Sequence, residues 1–170
     1  MSSPVRKARD LPCGKIIDRV HADYRPGTCA RLGTCRERIG AQGSAVIENL
    51  ITPVECDALV ALYPEEGIFR SRVVMARHGF GQGEYKYFRY PLPGIVLDLR
   101  TAVYSRLVPI ANRWNEAMGM DARYPANHAE FIERCHEAGQ RRPTPLLLRY
   151  EPGDYNCLHR DLYGEHVFPI

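Results

Sequence analysis

Near the end of the chain, in the stretch LLLRYEPGDYNCLHRDLYGEHVFPI, a histidine and an aspartate stand two residues apart: His159 and Asp161. On extended backbone, positions i and i+2 project to the same side, so an imidazole nitrogen and a carboxylate oxygen can converge on one point. Such donors suit a first-row divalent ion, and two histidines with one carboxylate on one face of Fe(II) leave the remaining positions open for reacting ligands. The segment thus offers two of the three donors of a facial triad. The tripeptide alone is weak evidence, because this composition gives roughly 0.3 chance matches. His21 with Asp23 and His128 with Glu130 have the same spacing, but they lie in a basic arm and at a helix start, where surface histidines are expected. Context separates His159: an apolar strand Leu146 to Tyr150, a Pro152-Gly153 turn, then Tyr155, Cys157, His159 and Asp161 on one parity.

The elements that must carry this strand follow from patterning. With 45% hydrophobic and 25% charged residues in 170, the composition is that of one soluble globular domain with room for a core. The net charge of +3 is uneven: residues 1–42 carry nine Lys/Arg against four Asp/Glu, and they lack a sustained period, which predicts a basic, loosely ordered arm. A short β-branched run predicts a strand over 44–51, and Thr52, Pro53 and Glu55 form the start signal of a helix over 53–63. The stretch FRSRVVMARHGFGQGEYKYFRYPLP reads as two strands joined by a glycine-rich turn; Gly79, Gly81 and Gly83 match no phosphate-binding motif. Ile95, Leu99, Ala102, Val103, Leu107, Ile110, Ala111 and Trp114 recur at helical steps, predicting a long helix that Pro109 should kink. A second helix is expected over about Asn127 to Ala138, ending at Gly139.

Six scattered cysteines without a C-x-x-C pair, and no cleavable apolar leader, point to reduced thiols and a cytoplasmic location. A zinc site from Cys13, His21, Cys29 and Cys35 fits no common spacing. No apolar run approaches the roughly 20 residues of a membrane span, so no membrane partner is expected.

The segment RYEPGDYNCLHRD resembles the Tyr-x-x-Gly-x-Tyr-x-x-x-His-x-Asp pattern of 2-oxoglutarate and Fe(II)-dependent oxygenases, including the prolyl hydroxylase branch. More broadly, Gly43 to Ile170, with FRSRVVMARHGFGQGEYKYF, PIANRWNEAMG and RPTPLLLRYEPGDYNCLHRDLYGEHVFP, resembles a bacterial oxygenase family of this class that is assigned to oxidative demethylation of damaged nucleic acid. The resemblance implies an α+β fold, with helices packed on an incomplete double-stranded β-helix (jelly-roll) core spanning 43–170. It implies His159 and Asp161 as iron ligands, Tyr150 and Tyr155 at the pocket of the co-substrate 2-oxoglutarate, and dioxygen as the other reactant. In that family a distal histidine and a co-substrate-binding Arg or Lys follow some tens of residues later. The chain ends before them, so it is expected to be a C-terminally truncated oxygenase, inactive or incomplete by itself. His166 is a weaker replacement ligand, because HVFPI reads as a core strand leaving the site.

For substrate, the hairpin interleaves cations with aromatic rings, and Arg72, Arg77, Tyr85, Lys86 and Tyr87 are candidates for gripping phosphates and stacking bases. The alternatives are hydroxylation of a protein side chain or small molecule, and a non-catalytic module that self-associates through exposed strand edges.

Overall fold

The computed structural model describes residues 37–47, 50–159 and 168. Residues 37–42 are helical, so this end of the arm is ordered, whereas residues 44–47, 50 and 51 form no strand. The described part of the run is irregular chain, with Val46 exposed and Leu50 and Ile51 packed against the core at its end. Helix α1 follows, Pro53–Leu62. Its start is the expected capping box: the Glu55 amide donates to Thr52 Oγ1 at 3.3 Å and the Thr52 amide donates to Glu55 Oε2 at 2.7 Å.

A 3₁₀ turn, Glu66–Ile68, leads into β1, Phe69–Val74. A second 3₁₀ turn, Met75–His78, a short β2, Gly81–Gln82, and β3, Glu84–Phe88, complete the glycine-rich hairpin. Helix α2, Gly94–Ala117, runs uninterrupted through Pro109, and α3, His128–Glu137, starts where the Asn127 side chain accepts from the Ala129 amide at 2.8 Å. The chain then enters β4, Leu146–Arg149, and β5, Tyr155–Asn156.

The architecture is mixed α+β. Among the described residues the strands make an antiparallel sheet in the order β1-β3-β4 and a small β2-β5 pair, with no closed barrel. In the larger sheet β1 and β4 are the outer strands. Helix α2 is the spine of the molecule. Its first half sends Ile95 and Ala102 into a cluster with Leu62, Phe69 and Phe88, joining helices to one face of the sheet. Its second half sends Tyr104 and Val108 against Phe131 and Cys135 of α3. Phe168 closes that second cluster, its ring centroid 5.0 Å from both Tyr104 and Tyr124. Asn112 locks the intervening loop by taking the Tyr124 amide at 2.7 Å and giving its own amide to the Tyr124 carbonyl at 3.0 Å. No helix among the described residues is long and apolar enough to cross a membrane.

Candidate functional site

Strand alternation divides the sequence-predicted residues between the two faces of the sheet. Lys86 pairs in register with Arg72 and Leu147, and Glu84 with Val74 and Arg149, which puts these side chains on the face that α1 and α2 cover. Tyr85 and Tyr87 fall on the opposite face, beside Val73 and Ser71 of β1 and Leu148 and Leu146 of β4.

On the helix-covered face the polar groups are consumed by the fold. Glu84 Oε1 accepts from the Tyr63 hydroxyl at 2.9 Å, and Oε2 accepts from Arg72 Nε at 2.8 Å. Burial alone would raise the Glu84 carboxyl, but these two hydrogen bonds and the charges of Arg72 and Arg149 outweigh it and hold it below its usual range. Tyr63, half-buried and donating to that carboxylate, is pushed up to about 12. Lys86 is 4% exposed; its ammonium donates to the Tyr63 carbonyl at 2.9 Å and to Glu66 Oε1 at 2.7 Å, and lies 4.7 Å from the Tyr63 ring centroid. Of the expected substrate cations, Arg72 and Lys86 therefore serve as structural partners here, whereas Arg77 stands exposed in the turn Met75–His78.

The open face is aromatic and apolar. Tyr85 and Tyr87 meet edge to face at 5.4 Å, and neither belongs to a core cluster. Tyr150 continues the β4 alternation onto this face, its ring lying over Gly83: a Cβ there would sit 2.8 Å from Tyr150 Cδ1. Leu148 and Tyr150 are 48% and 44% exposed.

The strand that carries the predicted ligands is seated on the glycine loop. Gln82 pairs with Tyr155 and Gly81 with Asn156, and the Cys157 amide donates to the Phe80 carbonyl at 2.9 Å. Gly81 and Gly83 both have φ +119°, a conformation that side chains rarely adopt, and a Cβ on Gly81 would collide with the Tyr155 carbonyl oxygen. These glycines, absent from the sequence-predicted site, are what allow Tyr150 and the short β5 to approach. Their signal was the Gly-x-Gly-x-Gly spacing, legible as a turn but not as a seat for a strand some seventy residues away.

His159 is exposed, and its Nδ1 lies 2.7 Å from the Cys157 carbonyl oxygen. A carbonyl only accepts, so Nδ1 carries the proton, and in the neutral ring Nε2 is the basic nitrogen. This hydrogen bond is the kind that fixes the tautomer of a metal-ligating imidazole. Among the described residues no three His, Cys, Asp or Glu side chains gather as a metal site. Asp161 and His166 lie outside the described residues, as do His21, Asp23 and the cysteines at 13, 29 and 35. Cys56, Cys135 and Cys157 are free thiols. Tyr155, in β5 four residues before His159, is 56% exposed.

His128, expected at the surface, is buried instead. As the first residue of α3 it turns toward α2, with its Nδ1 3.3 Å from Thr101 Oγ1 and its ring 4.9 Å from that of Tyr104. Burial, aided by the nearby Arg100 charge, lowers it to about 4, so it is a neutral core residue at ordinary pH.

The segment from the last glycine of the loop onward coincides with a recognised family. Residues 83–170, just over half the chain, match the family described as an oxygenase catalysing oxidative methylation of damaged DNA, and the chain belongs to this family. Two uncharacterized proteins of Mycobacterium tuberculosis, from strains CDC 1551 / Oshkosh and ATCC 25618 / H37Rv, are each 43% identical over 83 residues, covering 49% of this chain and 36% of the relative. The matched segment thus spans about a third of the length of these curated relatives. No solved structure matches the chain.

Proposed function

We propose that the chain carries the iron-binding strand of a cytoplasmic oxygenase that removes methyl groups oxidatively from alkylated nucleic acid, with 2-oxoglutarate as co-substrate. The carrying observation is the Nδ1–H bond from His159 to the Cys157 carbonyl, in the segment just after β5, which is pinned to the glycine loop. It orients the imidazole so that Nε2 is the nitrogen offered to Fe(II), and Asp161, two residues on, supplies the oxygen donor. Residues 43–170 form the oxygenase segment of this reading. Iron held there would supply the activation of dioxygen, the oxidant, with 2-oxoglutarate as the two-electron reductant decarboxylated to succinate; one oxygen atom goes to a C–H bond, after which a hydroxylated N-methyl group is lost as formaldehyde.

The protein's own groups bind and orient. The phenols of Tyr150 and Tyr155, both substantially exposed near the ligand strand, can donate to a co-substrate carboxylate. The open sheet face, apolar and aromatic, gives the reacting group walls that limit water. Oxygen chemistry on a methylated base removes the methyl group, whereas adding one needs a separate methyl donor.

The test is release of formaldehyde from a methylated single-stranded oligonucleotide in the presence of Fe(II), 2-oxoglutarate and oxygen by the whole oxygenase of which this chain would be a segment, with His159→Ala as control. Formaldehyde and succinate formed together, and lost in the variant, are the expected result. Succinate stimulated by a peptide or small molecule but not by the oligonucleotide would instead assign hydroxylation of another substrate class.

A further inference from the structure

The β1-β3 register contains one irregularity, and it has a consequence for the open face. Phe69 pairs with Phe88 and Ser71 with Tyr87, so Arg70 is an extra residue bulged out of β1. Bulges re-aim side chains, and this one lays the guanidinium over the ring of Tyr87, 4.4 Å from its centroid. Arg70 Nη2 also donates to the Pro143 carbonyl at 3.4 Å, tethering the group from the other side. The residue remains exposed. Among the described residues no carboxylate pairs with it, and none occurs at the sheet positions of its own face: Ser71, Val73, Tyr85, Tyr87, Leu146 and Leu148.

We infer that the Arg70–Tyr87 pair, with Tyr85 beside it, is a contact platform for single-stranded DNA on the open face of the sheet; this rests on the nucleic-acid reading above. The chemistry matches that partner on three counts. An uncompensated guanidinium offers charge to a phosphate and a flat outer surface to a base. Neighbouring phenol rings extend the stacking surface. A guanidinium already held against a ring loses little freedom on binding. The geometry connects to the ligand strand. Three residues of β3 lie between Tyr87 and Gly83, a rise of about 13 Å, so Arg70 lies within about four stacked nucleotides of the glycine loop on which β5 is seated.

The experiment is fluorescence anisotropy of the full chain with a fluorescein-labelled oligothymidylate of about 12 nucleotides, over a range of salt concentration. Arg70→Gln is expected to weaken binding roughly 5- to 10-fold and to make the dependence of log K on log salt shallower by about 0.7. Tyr87→Leu, which unseats the guanidinium, weakens binding comparably; Tyr87→Phe restores it, and Arg134→Gln on α3 leaves it unchanged. If the oligonucleotide binds and Arg70→Gln alters neither affinity nor salt slope, the platform is wrong while the nucleic-acid reading stands. If the unaltered chain shows no saturable binding at any salt concentration, the nucleic-acid reading falls and the platform with it.

Discussion

The two faces of the β1-β3-β4 sheet draw on similar residues, cations beside aromatic rings, and put them to opposite uses. On the face against α1 and α2, Arg72, Lys86 and Tyr63 are locked around Glu84 and Glu66, and Phe88 is 1% exposed. On the other, Arg70, Tyr85, Tyr87 and Tyr150 stand at or near the surface with no acidic residue among them. Five consecutive residues, Glu84 to Phe88, supply both faces. The contrast shows that the cation and aromatic content of a hairpin says little about binding until parity assigns each side chain to a face. Once assigned, the charges on the covered face explain stability, and those on the open face are available for recognition.

The strongest test of this division compares neighbours. Phe88→Ala removes a fully buried ring and should cost about 4 kcal/mol, whereas Tyr87→Ala, one residue away on the open face, should cost about 1 kcal/mol or less. Urea denaturation of the two variants measures both, and similar losses would dissolve the distinction. Next in size is Gly81→Ala, which combines an unfavourable backbone angle with a collision against Tyr155 and should destabilise by about 2 to 3 kcal/mol. Faster hydrogen exchange at the Cys157 amide would show the ligand strand lifting from its seat; unchanged exchange would mean that β5 is held by something other than the glycine loop.

A smaller effect concerns the second core cluster, which lies away from both faces. His128 titrates at about 4 when folded, against an ordinary 6.5. Between these values the unfolded chain takes up a proton that the native state refuses. Stability should therefore fall as pH drops from 6.5 toward 4, by on the order of 2 kcal/mol, and this contribution should be flat above 6.5. Arg100, Thr101 and Tyr104 are the groups that face it. Thermal melts across this range, compared with a His128→Asn variant, isolate the contribution; parallel curves would show that the ring is protonated in the fold.

Much of the fold was legible because its signals are local. The Thr52–Glu55 box, the helical steps of α2 and the glycine after α3 are each set by a few neighbouring residues. The strand expected over 44–51 failed because an apolar, β-branched run has the same composition whether it pairs in a sheet or runs as irregular chain, and only the absence of a partner strand decides. For the same reason the sequence could give the parity of Arg72 and Lys86 but not which parity faces the helices. His128 looked like a surface residue because its burial comes from Tyr104, which lies 24 positions earlier on another helix. The expectation for His159 and Asp161 came from spacing and context, whereas the seat of the preceding β5 on the glycine loop is a long-range contact that no local pattern announces.

The central claim is that His159 and Asp161 converge on one metal ion. Anaerobic titration of the chain with Co(II), followed by its visible absorption, tests this directly, with His159→Ala and Asp161→Ala alongside. The account predicts saturable binding of one ion that each substitution weakens at least about 10-fold. Binding that survives both substitutions, or that is abolished by neither alone nor by the two together, would contradict it.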